Sequence, residues 1–115
     1  MIETNKKRVI VTGMHRCGTS FMASWLQRLG VMIGDSLAGA TPSNKLGHFE
    51  DIEILEFHES LLKANMTNLY EASVRVMKYT EKDVEWAQSF TRSRDKKWEI
   101  WGWKQPRAAL FLELW

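Results

Sequence analysis

The chain has 115 residues, 44% of them hydrophobic, enough for one modest domain with an ordinary core. Sixteen Lys and Arg against 14 Asp and Glu leave a net charge of +2, too balanced to argue for nucleic acid or an anionic membrane as a partner. One cysteine excludes an intrachain disulfide, Glu3 to Arg8 are polar and charged with no apolar signal segment behind them, and no run approaches the ~18 apolar residues of a membrane span. These features together give the expectation of a cytoplasmic protein.

The first apolar run is Val9-Ile10-Val11, behind Lys6-Lys7-Arg8. Three β-branched residues in a row predict a strand over about Arg8 to Thr12, of the kind buried on both faces of a parallel sheet. A glycine-bounded turn follows. From Thr19 to Leu29 the apolar residues Phe21, Met22, Trp25, Leu26 and Leu29 recur at helical spacing, and Gly30 supplies a stop. The unit is strand, tight loop, helix. In such a unit the loop amides and the unpaired N–H groups of the first helical turn converge, and the helix dipole attracts an anion to that spot. Gly13 and Gly18 let the backbone approach a ligand closely. Their spacing is that of the phosphate-cradling P-loop, but Thr19-Ser20 follow directly, without the P-loop lysine. Arg16, inside the loop, is the available cation.

Val31-Met32-Ile33 reads as a brief extended piece, and Gly34 to Gly47 as a long loop rich in Gly, Ser, Thr, Asn and Pro. Loops of that length in small domains are often functional. Asp51 to Asn65 is helical, with Ile54, Phe57, Leu61, Leu55 and Leu62 as a broad apolar stripe. Thr67 to Lys78 fits helix or strand. Thr80 caps a further helix whose first turn holds Glu81 and Asp83. This helix buries Val84, Trp86 or Ala87, and Phe90. It runs to about Arg94, and the charged cluster Arg92 to Lys97 ends it as a solvated terminus. Ile100 to Lys104 is a second strand, broken by Pro106, and Arg107 to Trp115 has helical spacing through Leu110, Phe111 and Leu114. The order predicts an α/β domain with parallel strands. There is no internal repeat and no His/Cys/Asp cluster with metal-ligand spacing.

Gly13-Met14-His15-Arg16-Cys17-Gly18-Thr19-Ser20 resembles the 5′-phosphosulfate loop of sulfotransferases that use 3′-phosphoadenosine 5′-phosphosulfate (PAPS). Arg16, Gly18, Thr19 and Ser20 match that loop, and Cys17 stands where serine is usual. Gly47-His48-Phe49-Glu50 is similar to an element that bacterial sulfotransferase-like sequences carry just before a helix. Lys104-Gln105-Pro106 resembles the family's Lys-Asp-Pro at a strand end, with Gln105 in place of the aspartate. The resemblance implies a P-loop-like three-layer α/β/α fold with parallel strands. It implies that residues 1–115 are the N-terminal part of one sulfotransferase-like domain, apparently truncated. Its segments are a cofactor loop over 12–20, an acceptor and base region over 34–53, and a strand end over 100–107.

What the resemblance implies for chemistry follows residue by residue. Gly13, Met14, His15, Arg16, Cys17, Gly18, Thr19 and Ser20 bind the cofactor, with His15 lending its backbone and Cys17 filling the loop. Glu50 is the general base that takes the acceptor's proton, and His48 is the rival base. Lys104 reaches the transferring sulfuryl group, and Arg16 and Lys104 carry the charge that moves onto the leaving phosphate. Gln105 weakens a supporting contact and leaves the role of Lys104 intact. PAPS is the donor, no metal is implied, and the acceptor is a hydroxyl on a carbohydrate, a peptide tyrosine or a small molecule. A missing C-terminal half or a second chain would complete the site. Two other readings stay open. One is a non-catalytic remnant that binds an anion or a partner. The other is a P-loop kinase-like phosphotransferase, which would need the absent P-loop lysine and an acidic Mg²⁺ ligand.

Overall fold

In a computed structural model, residues 6–13, 18–34, 49–68 and 77–115 are described. Among them the elements run β1 (Lys7–Val11), α1 (Thr19–Arg28), α2 (Ile52–Ala64), α3 (Glu81–Lys97) and β2 (Ile100–Lys104). Two 3₁₀ turns, Pro106–Leu110 and Leu112–Leu114, follow. The two strands pair in parallel with Lys7 opposite Ile100 and Val11 opposite Lys104. Parallel pairing requires a long crossover, and the helices between residues 19 and 97 lie in that connection. The result is a small mixed α/β domain.

The extended piece expected at Val31–Ile33 contributes one parallel bridge, Met32 with Trp101, on the edge of β2 away from β1. The Met32 N–H donates to the Ile100 carbonyl at 3.3 Å, and the Gly102 N–H donates to the Met32 carbonyl at 2.8 Å. β2 is therefore held on both edges, and Trp101 to Lys104 are all buried. β1 departs from the expectation of a strand buried on both faces. Val9 and Val11 are half-buried and Ile10 is exposed, so the face that carries Ile10 is not covered as the other is, and β1 is bonded only to β2 among the described residues. Gly102 is a requirement of the pairing: a Cβ there would lie 2.0 Å from the Val9 carbonyl oxygen.

Helix α2 forms as its sequence dictates. The Asp51 side chain caps it by accepting from the Glu53 and Ile54 amides, and Glu53 sits in its first turn. Ile54, Phe57, His58, Leu61 and Leu62 make its buried stripe. Thr80 caps α3 in a reciprocal box with Asp83, as the sequence predicts. The helix runs past the expected Arg94 to Lys97, the last residue of the charged cluster, with Arg94, Lys96 and Lys97 complementing the negative end of its dipole. Asp95 near that end accepts from Arg8 of β1 and, at 2.9 Å, from the Trp101 indole of β2. This fastens α3 across both strands.

The core has two parts. Phe57, Leu61, Leu62, Met77 and Phe111 form one, and Ile54, Phe90, Trp101, Trp103 and Ala108 form the other. Trp115 packs against both, with its ring centroid 4.9 Å from that of Trp103. The helix expected over Arg107 to Trp115 is replaced by the two 3₁₀ turns. Phe111 leaves helical geometry (φ −132°, ψ 33°), and a nine-residue segment behind a proline has too few ladder bonds to repay helix nucleation. Helix α1 has the predicted period, yet only Thr19 and Ala23 are buried. Phe21, Met22, Trp25 and Leu29 stand exposed.

Candidate functional site

Because β1 and β2 are parallel, their carboxyl ends lie side by side, and ligands of open α/β sheets bind at that edge. The ends are tied together. The Gln105 N–H donates to the Val11 carbonyl at 2.9 Å, and the Thr12 hydroxyl lies 2.9 Å from the Gln105 carbonyl and 3.2 Å from that of Pro106. The strand end runs on to Gly13, and the described chain resumes at Gly18, which is left-handed (φ 91°) and occupies the N-cap of α1. Open space surrounds Gly18 where a Cβ would stand. No side chain caps α1, and its first turn holds no acidic residue. Such a helix start retains N–H groups for an anion. Thr19 is buried and Ser20 half-buried in that turn. Met14, His15, Arg16 and Cys17 lie outside the described residues, as does His48.

Glu50 and Lys104 come together from 54 positions apart. Lys104 Nζ is 2.8 Å from Glu50 Oε1, with Lys104 2% and Glu50 4% exposed. Two local features deliver them. Phe49 takes a left-handed backbone (φ 55°), a conformation that costs a non-glycine residue energy and turns the chain just before Glu50. Lys104 is the last residue of β2, at the same edge as Thr12 and Gly13. Gln105, fully buried, extends the cluster. Its Nε2 lies 3.5 Å from Glu50 Oε2, at the outer limit of a hydrogen bond, and its Oε1 accepts from the Arg107 backbone and guanidinium, each at 3.1 Å. Gln105 thus joins the Glu50 cluster to Arg107.

A second buried ion pair lies immediately behind. Arg94 Nη2 is 2.9 Å from Asp51 Oδ2 and 3.3 Å from Glu53 Oε2. Its guanidinium also sits over the Phe90 ring, 4.6 Å from the centroid. This corrects the expectation of a solvated helix end at Arg92 to Arg94. Arg92 and Ser93 are exposed, but Arg94 falls on the inner face of α3 with Ala87 and Phe90 and is buried. Through Asp51 it fixes the start of α2, and hence the position of Glu50. The spacing Ala87, Phe90, Arg94 carried that signal: an arginine on an apolar stripe.

His58 is the other residue that sequence reasoning passed over, on the stripe Ile54, Phe57, His58, Leu61. Its Nδ1 lies 2.8 Å from the Ile54 carbonyl oxygen, and its Nε2 accepts from the Trp115 indole N–H at 3.0 Å. Burial pushes its pKa down to about 4, against the support of the Ile54 carbonyl and with a smaller push from Arg107. It is a neutral core residue that holds Trp115.

The arrangement offers a buried carboxylate–ammonium pair at the carboxyl edge of the parallel strands, and a start of α1 that no side chain caps. Of the predicted site residues, Gly13, Gly18, Thr19, Ser20, Glu50 and Lys104 belong to described regions, and Glu50 and Lys104 are in contact. Among the described residues no group of three or more His, Cys, Asp or Glu is arranged to hold a metal, and no helix is long and apolar enough to cross a membrane. Comparison with protein-family models, with curated proteins and with solved structures gives no match to this chain.

Proposed function

We propose that this chain carries the donor side of a sulfuryl-transfer site. It would bind PAPS at the carboxyl edge of the β1–β2 sheet, in a P-loop-like three-layer arrangement, and direct the sulfuryl group to a hydroxyl acceptor. The observation that supports this reading above others is the buried Glu50–Lys104 contact at 2.8 Å. It joins the two separate segments whose residues resemble a base and a sulfuryl-holding lysine. Gly13 and Gly18 in unusual backbone conformations and the uncapped start of α1 suit an anionic group.

The donor supplies a sulfuryl group on a phosphate leaving group. The protein supplies position and charge, which dominate catalysis in the related phosphoryl transfers. Glu50 accepts the acceptor's proton, as His48 could from the same segment. Lys104 and the α1 amides, joined by Arg16 from the loop, hold the negative charge that develops at the donor. The acceptor is a carbohydrate, a peptide tyrosine or a small alcohol.

A second reading, a non-catalytic remnant of the fold, draws on the same contact, since an ion-paired Glu50 serves structure as well as chemistry. Calorimetric titration with 3′,5′-adenosine bisphosphate beside Mg-ADP separates the readings. Preference for the bisphosphate is expected. Preference for Mg-ADP would move the chain to the phosphotransferases. Binding of neither by the folded protein would leave the remnant.

A further inference from the structure

The Glu50–Lys104 pair poses a chemical contradiction for any reaction at this edge. Glu50 Oε1 and the Lys104 ammonium are engaged with each other, so neither is placed to meet a substrate while the contact lasts. Both groups are at least nine-tenths buried, so water does not screen the pair. Among the described residues few other neighbours compete for them. Glu50 Oε2 has the Gln105 amide at 3.5 Å, and Gln105 is itself engaged by Arg107 through its oxygen. The carboxylate is therefore held chiefly by Lys104, and one displacement frees it. That displacement can come from the strand-end edge. Lys104 is paired in register with Val11, the next residue but one to Gly13, so its end of β2 lies at the edge where the chain leaves β1.

We propose that the Glu50–Lys104 contact is the resting state of the site, and that an anion bound at the strand ends draws Lys104 from Glu50, so that the carboxylate becomes a base only when the donor is present. This rests on the sulfuryl-transfer reading and adds an order to it: donor first, acceptor second. The step is an exchange of ion-pair partners. Lys104 keeps its proton throughout and no bond is made or broken, and Glu50 is left with an unpaired carboxylate ready for the acceptor's hydroxyl proton. Such an exchange withholds the base until there is a leaving group to receive charge.

The test is competition. The full 115-residue chain is titrated calorimetrically with 3′,5′-adenosine bisphosphate as the wild type, Glu50→Gln, Lys104→Met and the double variant, with circular dichroism of each to establish folding. Without its carboxylate rival, Lys104 in Glu50→Gln binds the bisphosphate on the order of tenfold more tightly than in the wild type, the size of one charge-assisted hydrogen bond. Lys104→Met binds about as the wild type does, since the lysine there must first leave Glu50. The double variant loses the gain. Unchanged or weaker binding by Glu50→Gln overturns the exchange while the sulfuryl-transfer reading stands. An equal gain in the Lys104→Met background overturns it too, because the effect is then simple charge removal. Failure of every folded protein to bind removes the sulfuryl-transfer reading and the exchange with it. Should Glu50→Gln not fold, the ¹⁵N resonance of the Lys104 side chain in the unaltered protein, identified by its loss in Lys104→Met, decides the matter: it shifts on adding the bisphosphate if partners exchange, and an unmoved resonance in a protein that binds overturns the proposal.

Discussion

Protonation of His58 should unfasten the core from below pH 6.5. The ring is fully buried, and its two nitrogens have fixed roles. An indole nitrogen can only donate, so the Nε2 that receives Trp115 carries a lone pair, and the proton sits on Nδ1, facing the Ile54 carbonyl. A second proton at Nε2 would set N–H against N–H at 3.0 Å. With the folded pKa near 4 and the ordinary value 6.5, the unfolded chain binds more protons than the native one between those limits. Stability therefore rises with pH across that window: it is complete above 6.5 and lost as pH falls to 4. At about 1.4 kcal/mol for each unit of that gap, the swing is about 3 kcal/mol. That is a large fraction of a small domain's total stability. Urea unfolding of the wild type and of His58→Phe at intervals from pH 4 to 7.5 measures it. Carboxylates titrate in both proteins and cancel in the difference. The stability difference between them should change by about 3 kcal/mol across the window. Trp115→Phe removes the opposing donor, so the His58 proton titration followed by NMR should move up toward 6.5. A difference between wild type and His58→Phe that stays constant from pH 4 to 7 would refute the reasoning.

Other perturbations have outcomes of equal definition. Arg94→Met leaves Asp51 charged and buried without its partner and should cost about 3–5 kcal/mol in chemical denaturation. Adding Asp51→Asn, which keeps a capping oxygen, should recover most of that loss. Gly102→Ala forces the strands apart, because the new Cβ meets the Val9 carbonyl at 2.0 Å. A loss of about 3 kcal/mol or more is expected, read as a lower melting temperature with lost amide protection in β1. Thr80→Ala removes the capping box of α3 and should cost about 1 kcal/mol at unchanged denaturant slope.

How far the sequence carried the reading depends on whether the physics was local. β1, α1, α2 and β2 lie within a residue or two of where periodicity and turn residues put them, since strand pattern, apolar stripe and cap are properties of a few neighbouring residues. The Thr80 cap was legible for the same reason. The end of α3 and the form of residues 106–114 were not. A charged run does not say at which of its residues the helix ends, and an apolar period does not choose between α and 3₁₀ geometry in so short a piece. At the site, Glu50 and Lys104 were nameable singly, each from its own segment.

What the residues fixed by themselves was therefore the alternation of strand and helix, the glycine-bounded loop, and the chemical types gathered in each segment. Tertiary structure alone decided that Lys104 meets Glu50, that Arg94 reaches Asp51, and that His58 is pinned between Ile54 and Trp115. It also decided that β2 is the buried strand and β1 the more open one. Each of these turns on a contact across dozens of residues. There, desolvation makes a charge or an unpaired nitrogen decisive, and no local pattern records who the partner will be.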